Sequence, residues 1–270
     1  MPKIIEIGTM LANKSNITIG ILTDVHYAER DTIWSRYFRD SLSKVRSAIS
    51  FFNQANPDFC VYLGDNIDKG PTREIELEYL MLIKSEYAKF NGIGHYVIGN
   101  HDLASFSKEQ FLKICGSREK YYSFDYGPFH FIILDGCYNQ DESDYDSGNF
   151  DWRYAYIPKA EQEWLIKDLQ NSEKKAIIFV HQRLDDDNGL HGIGNSKTIR
   201  QILEDSGKVI AVFQGHDHFG AQNYINDINY FTFQAVVEGQ GLENNSYSLI
   251  HIWNDGTIKI EGFGKQNNFS

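Results

Sequence analysis

Five short apolar runs in this chain each end in a group of metal-type donors. Ile17 to Leu22 leads into Thr23, Asp24, Val25 and His26, and Phe59 to Leu63 leads into Gly64, Asp65 and Asn66. Tyr96 to Ile98 leads into Gly99, Asn100, His101 and Asp102, and Ala176 to Val180 into His181. Val209 to Phe213 leads into Gln214, Gly215, His216, Asp217 and His218. Runs this short, β-branched and aromatic, and bounded by turn residues, read as buried strands. Side chains at the carboxyl ends of strands in an α/β sheet converge on a crevice. Five such strands are expected to gather Asp, His and Asn at one edge and build a concentrated metal site.

Helical patterns lie between the runs. From Trp34 to Phe52 the apolar positions Trp34, Phe38, Leu42, Val45, Ile49 and Phe52 fall three or four apart, one face of a helix, which Asn56-Pro57 closes. Glu74 to Phe90 has a similar face through Ile75, Tyr79, Leu82 and Ile83. Ser107 with Gln110 predicts a capping box, and Pro158 predicts a first helical residue ahead of Trp164, Leu165 and Leu169. Strand alternating with helix implies a βαβ architecture. Tyr121 to Phe124 and His130 to Leu134 read as strands, and the last third turns strand-rich, through 223–225, 230–237, 247–253 and 257–262. The expected fold is α/β, with two packed sheets and helices outside. No repeat or linker divides it, so one domain over 1–270 is expected, with 138–157 as a possible cap or rim insertion.

Composition narrows the function. The formal net charge of -11 argues against a long nucleic acid as partner, though not against a phosphorylated substrate, because bound cations reverse the local sign. Cys60, Cys115 and Cys137 are too few and too scattered for a disulfide framework and read as reduced, partly buried thiols. No stretch approaches the roughly 20 apolar residues of a membrane helix, and Met1 to Ser15 lacks a signal-peptide core. The expectation is a cytoplasmic protein with no membrane partner; oligomeric state is left open.

The donors are carboxylate, amide oxygen and imidazole without thiolate, a set that suits Mn, Fe or Zn in a pair of sites better than structural zinc. Gly64, Gly99 and Gly215 each stand just before a donor, where a missing Cβ permits a sharp turn. Each motif alone has a bland reading. Asp24-x-His26 and Gly64-Asp65 are common turn features, Asn100-His101-Asp102 fits a polar loop, and a single His181 fits a hydrogen-bonded loop histidine. Gly215-His216-Asp217-His218 is the most specific piece, and the ordered set leaves little room for coincidence.

That ordered set of DxH, GD, GNHD, H and GHxH, spanning Asp24 to His218, resembles the calcineurin-like metallophosphoesterases. The stretches TDVHYAE, LGDNID, GNHD, FQGHDH and VVEG are similar to a subgroup, the manganese-dependent ADP-ribose/CDP-alcohol diphosphatases. The resemblance implies a four-layer αββα sandwich and two divalent metal ions, manganese foremost. Asp24, His26 and His218 would hold one metal, Asn100, His181 and His216 the other, and Asp65 would bridge them. His101 would bind a phosphate oxygen and protonate the leaving group instead of ligating, with Asp102 orienting it. The implied activity is hydrolysis of a phosphodiester or a nucleoside-diphosphate-linked small molecule by a metal-activated hydroxide.

Substrate choice is expected from the loops at 27–34, 66–73 and 138–157, with Tyr27, Arg73, Trp152 and Arg153 as candidates to stack on a base or pair with phosphate. Local packing is the simpler reading of each. The loop 182–195, with Arg183 and His191, would line the mouth or form a solvated acidic loop, and His95, His130, His191 and His251 read as structural. The rival functions are a phosphomonoesterase, a nuclease, which the net charge disfavours, and a non-catalytic scaffold, which the complete donor set disfavours.

Overall fold

The structure, a computed structural model, describes residues 16–117, 119–187 and 190–269. The N-terminal segment read above for a leader lies outside them. One sheet holds β1 (Ile17–Leu22), β2 (Phe59–Tyr62), β3 (Ile93–Tyr96), β10 (Ser246–Ile252) and β11 (Ile258–Gly264), in the order β11-β10-β1-β2-β3. The other holds β4 (Tyr122–Tyr126), β5 (Phe129–Ile133), β6 (Lys175–Phe179), β7 (Val209–Gln214), β8 (Ala221–Ile225) and β9 (Ile228–Thr232), in the order β4-β5-β6-β7-β9-β8. Five α-helices complete the described chain: α1 (Asp40–Ala55), α2 (Arg73–Tyr87), α3 (Lys108–Cys115), α4 (Lys159–Asn171) and α5 (Ser196–Ser206).

Three apolar clusters explain the layering. Alternate residues of both sheets meet face to face, with Ile17, Ile19, Ile21, Phe59 and Val61 opposite Phe131, Ile133, Ile177, Phe179 and Phe213. The remaining residues of β1 and β2, Leu22, Cys60 and Tyr62, pack under α1 and α2 through Val45, Ala48, Phe52, Leu80 and Ile83. The outer face of the second sheet, Ile132, Ala176, Ile178 and Val212, is covered by Leu165 and Leu169 of α4 and Ile199 and Leu203 of α5. Strands buried on both faces need apolar side chains at every position, which is why the runs are continuous and not alternating. The result is the expected αββα sandwich. The three cysteines are free and buried.

β1, β2 and β3 are mutually parallel, as are β5, β6, β7 and β9. The donor-bearing loops therefore all leave from carboxyl ends. The capping box at Ser107 and Gln110 is present, whereas Pro158 takes the N-cap position, one residue before α4 begins. α1 starts at Asp40, six residues later than the apolar period suggests. Trp34 is 91% exposed with left-handed backbone, while Phe38 is buried; an aromatic at helical spacing need not face the core. The segment after β9 also departs from expectation. Thr232 ends the strand, and Val236 and Val237 instead donate to the backbone oxygens of Thr23 and Asp24 at 3.1 Å each.

Segment 138–157 is tied down along its length. Tyr145 is fully buried and stacked on Phe150 at 4.0 Å, Gly148 N donates to Leu103 O at 3.1 Å, and Ala155 and Ile157 enter the core. No helix among the described residues is long and apolar enough to cross a membrane.

Phe131 joins the sheets, with ring centroids 5.2 Å from Phe59 and 5.4 Å from Phe124. Phe131→Ala is expected to cost about 3–5 kcal/mol of stability, the usual consequence of emptying such a site, measured as a lowered urea midpoint at unchanged slope.

Candidate metal centre

The loops after β1 and β2 zip together before any side chain is considered. Asp24 N donates to Gly64 O at 3.1 Å, His26 N to Asp65 O at 2.9 Å and Tyr27 N to Asn66 O at 3.1 Å. This pairing sets Asp24 and His26 beside Asp65. His216 N then donates to Asp24 Oδ2 at 3.0 Å, and His101 N donates to Asp65 Oδ1 at 2.7 Å. Four of the five strand ends, those of β1, β2, β3 and β7, are thus cross-linked around the two carboxylates.

The backbone is strained at this junction. Asp24, His26, Asp65 and His216 have φ of 52°, 45°, 53° and 66°. Left-handed backbone at a non-glycine residue is held only where its surroundings over-determine it. Glycine is required beside them: a Cβ on Gly99 would stand 2.1 Å from Asp65 N and 2.3 Å from its Oδ1.

Asp24 Oδ2 is occupied by the Thr23 hydroxyl at 2.6 Å, leaving Oδ1 for the centre. Asp24 Oδ1 lies 3.6 Å from His26 Nε2 and 3.5 Å from His218 Nε2, and the two nitrogens are 3.2 Å apart. Ligands about 2.1 Å from one cation sit roughly 3.0–3.4 Å from each other, so this triad has the spacing a single ion needs. On the other side Asp65 Oδ2 is 3.1 Å from His181 Nε2 and 3.6 Å from His26 Nε2, between the two groups. Ligand atoms of Asp65, His181 and His216 lie within 4.8 Å of one another. Asp24 Oδ1, Asn100 Oδ1, His181 Nε2 and His216 Nε2 are all buried without a hydrogen-bond partner. Orphaned buried donors are costly unless a cation takes them up, so the residues present fit two divalent ions.

The second nitrogen of each imidazole shows what the sequence reading missed. His26 Nδ1 faces Asp68 Oδ2 at 3.2 Å, His218 Nδ1 donates to Glu238 Oε1 at 2.7 Å, and His181 Nδ1 donates to Leu63 O at 2.8 Å. Such partners fix the ring so that Nε2 is presented to a metal. Asp68 and Glu238 stood inside quoted stretches of the sequence, but no local pattern pairs a residue with an imidazole distant in the chain.

His101 is partly exposed, edge-on to His26 with ring centroids 4.4 Å apart, and its Nδ1 lies 3.4 Å from Asp68 Oδ2. Asp102 faces elsewhere. Its carboxylate accepts from the backbone N of Asp65 (3.0 Å), Asn66 (2.8 Å) and Gly99 (3.0 Å) and from the Asn66 amide. It braces the loops, and Asp68 is the carboxylate beside His101. Ligand atoms of His26, Asp65 and His101 also fall within 4.8 Å of one another, so proximity alone does not set His101 apart from the ligands.

The substrate candidates divide. Tyr27 is buried, packed on Tyr79, with its hydroxyl on Glu29 at 2.8 Å. Arg73 binds Ser105 O at 3.1 Å and Gln110 Oε1 at 2.9 Å, joining α2 to α3. Neither is brought to the centre. Arg153 is exposed and its guanidinium is paired with Asp151. Trp152 does reach the centre: it is 36% exposed, edge-on to His216 at 5.5 Å and against His191 at 5.9 Å. His191, assigned above as structural, thus stands at the mouth beside His216, 5.4 Å away.

A cluster of buried carboxylates and imidazoles at one edge of a two-sheet sandwich defines a dinuclear-type metal centre. The model of the calcineurin-like phosphoesterase family matches residues 17–220, and the chain belongs to that family. It is 26% identical over 204 residues to a manganese-dependent ADP-ribose/CDP-alcohol diphosphatase of Oryza sativa subsp. japonica, covering 70% of this chain and 61% of that one. The chain thus spans less than two thirds of the rice protein's length. A protein of the same description from Xenopus tropicalis is 23% identical over 319 residues, covering 92% and 91%. Among solved structures, a dimetal phosphatase from Danio rerio superposes with a TM-score of 0.83 at 19% identity, covering 95% of this chain and 98% of its own.

Burial opposes charge on these imidazoles, yet the adjoining carboxylates win. Burial lowers the His26 pKa, but Asp24 and Asp68 raise it to about 10; burial likewise opposes His181, which Asp65 raises to about 9. Asp24 and Asp65 resist the upward push of burial and stay well below the carboxylate range. In the metal-free protein both imidazoles therefore carry protons at pH 7 that an incoming cation must displace. Mn²⁺ binding is expected to release protons at pH 7 and to tighten as pH rises towards about 9–10, read by calorimetry in buffers of different ionisation enthalpy. Gly99→Ala is expected to abolish tight metal uptake, measured by elemental analysis, while circular dichroism remains that of the folded chain.

Proposed function

We propose that this chain hydrolyses phosphate esters with two divalent cations, and that its substrate is a small phosphodiester or nucleoside-diphosphate-linked molecule. The observation that carries the reading is two adjoining donor groups, Asp24–His26–His218 and Asp65–His181–His216, with Asp65 Oδ2 3.6 Å from His26 Nε2, and with Asp24 Oδ1, Asn100 Oδ1, His181 Nε2 and His216 Nε2 buried and without a hydrogen-bond partner. Asp24, His26 and His218 would hold one cation, Asn100, His181 and His216 the other, and Asp65 would touch both. Manganese is the first choice, on oxygen and imidazole donors and on the naming of the relatives. The pair of ions would supply positive charge at the phosphoryl oxygens and bring a water's pKa towards neutrality.

The chain's own groups supply the rest. His101 is partly exposed beside the donor cluster; burial holds its pKa below the ordinary value in spite of Asp65. In its protonated form, which a bound phosphoryl anion favours against burial, it would donate a hydrogen bond to a phosphoryl oxygen and give that proton to the leaving oxygen. Asp68 orients it from behind, the role first given to Asp102. Trp152 offers a flat apolar face beside His216, and Phe219, 77% exposed, directly follows His218. An aromatic face at the mouth, that of Trp152, suits a base or another planar group on the substrate.

The test begins with metal-stripped protein, bis(p-nitrophenyl) phosphate, and Mn²⁺ added or withheld, followed by ADP-ribose, a CDP-alcohol and the monoester p-nitrophenyl phosphate. Mn²⁺-restored turnover of the diester and the diphosphates is expected. Turnover confined to the monoester would overturn the substrate reading, and none at all with two ions bound would point to a scaffold. His101→Ala is expected to lower kcat by about 10²–10⁴ with both ions retained. Loss of an ion in that variant would make His101 a ligand.

A further inference from the structure

Lys44 lies in the second turn of α1 and is wholly buried. Its ammonium donates to the backbone oxygens of Val236 at 2.8 Å, Glu238 at 3.0 Å and Gly239 at 2.6 Å. A buried cation is retained only where several acceptors meet it, and a turn that aims three carbonyls at one point needs a cation there. Lys265 adds a second grip on Glu238 O at 2.6 Å. An ammonium so placed fixes the path of the 236–239 segment from behind.

The front of that segment faces the metal centre. Val236 N and Val237 N donate to the backbone oxygens of Thr23 and Asp24, each at 3.1 Å. Glu238 Oε1 accepts from His218 Nδ1 at 2.7 Å, with the Arg36 guanidinium 3.6 Å from the same oxygen. The segment thus holds Asp24 by its backbone and His218 by its ring. Both belong to one donor triad. In the other group the imidazole of His181 is backed by Leu63 O, at the end of a different strand.

We propose that Lys44 is a positioning residue for one half of the centre. By gripping residues 236–239 it aims the Glu238 carboxylate, which holds His218 in the tautomer that presents Nε2, and so it sets the cation affinity of the Asp24–His26–His218 position. The proposal rests on the reading of those three residues as ligands.

The experiment is a Mn²⁺ titration of the metal-stripped chain, with free Mn²⁺ followed by electron paramagnetic resonance. The wild type is expected to take up two ions; fewer than two would overturn the dinuclear reading itself, before any variant is compared. Lys44→Met is expected to weaken one ion by about 10–100-fold, the usual cost of losing support behind a metal-binding histidine, and to leave the other unchanged. Lys44→Arg, which still donates to the carbonyls, is expected to recover part of the loss. In a His218→Asn background Lys44→Met should change nothing further, because both act on the same ion. Imidazole ¹⁵N spectra of the metal-free protein should show His218 leaving its single tautomer in Lys44→Met. A lowered melting temperature with both ions bound as in the wild type would overturn the proposal and reduce Lys44 to a structural brace. So would an equal loss at both positions. Should Lys44→Met not fold, Glu238→Gln carries the same comparison, with weakening of the same single ion expected and unchanged affinity overturning it.

Discussion

Two carboxylates, Asp24 and Asp65, are withdrawn from water at the meeting point of five strand ends. Burying an ionised carboxylate is unfavourable by several kcal/mol unless hydrogen bonds and opposite charge compensate. Much of the surrounding architecture reads as that compensation. Thr23 and the His216 backbone bind one oxygen of Asp24, and the His101 backbone binds one oxygen of Asp65. In each case the other oxygen is left facing imidazole nitrogens 3.1–3.6 Å away. The hydrogen bonds cover half of each carboxylate. Cations, whether protons on His26 and His181 or divalent metal, must cover the rest.

The strain at the centre follows from the same demand. A side chain at the end of a parallel strand ordinarily continues the strand's direction, whereas these donors must turn inward across the sheet edge. Left-handed backbone at Asp24, His26, Asp65 and His216 provides that turn at about 1–3 kcal/mol each. The apolar cluster between the two sheets is the source of stability against which this strain is set. Asp102 contributes from within the site's own loops: a carboxylate accepting three backbone N–H groups locks the Asp65 and Gly99 turns together.

The layered fold and the gathering of donors were legible because both follow from local rules. Short runs buried on two faces are continuously apolar, and parallel strands send their carboxyl ends to one side. Contacts between side chains distant in sequence were not legible in that way. Asp102 adjoins His101 in sequence and was assigned to it, yet a residue next in the chain points where the backbone sends it, and a 3-10 turn at His101–Leu103 sends it into the loop amides. Asp68 and Glu238 reach their imidazoles through the pairing of the β1 and β2 loops and the crossing of the 236–239 segment. Tyr27 directly follows His26 and Arg73 lies five residues beyond Asp68, but their polar groups bind Glu29 and Gln110.

Segment 138–157 combines a polar composition with close attachment to the rest of the chain. Its polarity suggested a cap or rim, and caps are often movable. Here the segment is held by backbone bonds to Leu103 and Phe106 and by the burial of Tyr145, and it carries Trp152 to the edge of His216. Leu103 ends the turn that begins at His101. The same short stretch therefore ties the turn that carries His101 to the segment that carries Trp152. Tyr145 and Phe106, both buried in the same apolar cluster, thus join the segment that bears Trp152 to the turn that bears His101, and the mouth is built by the packing that closes the core.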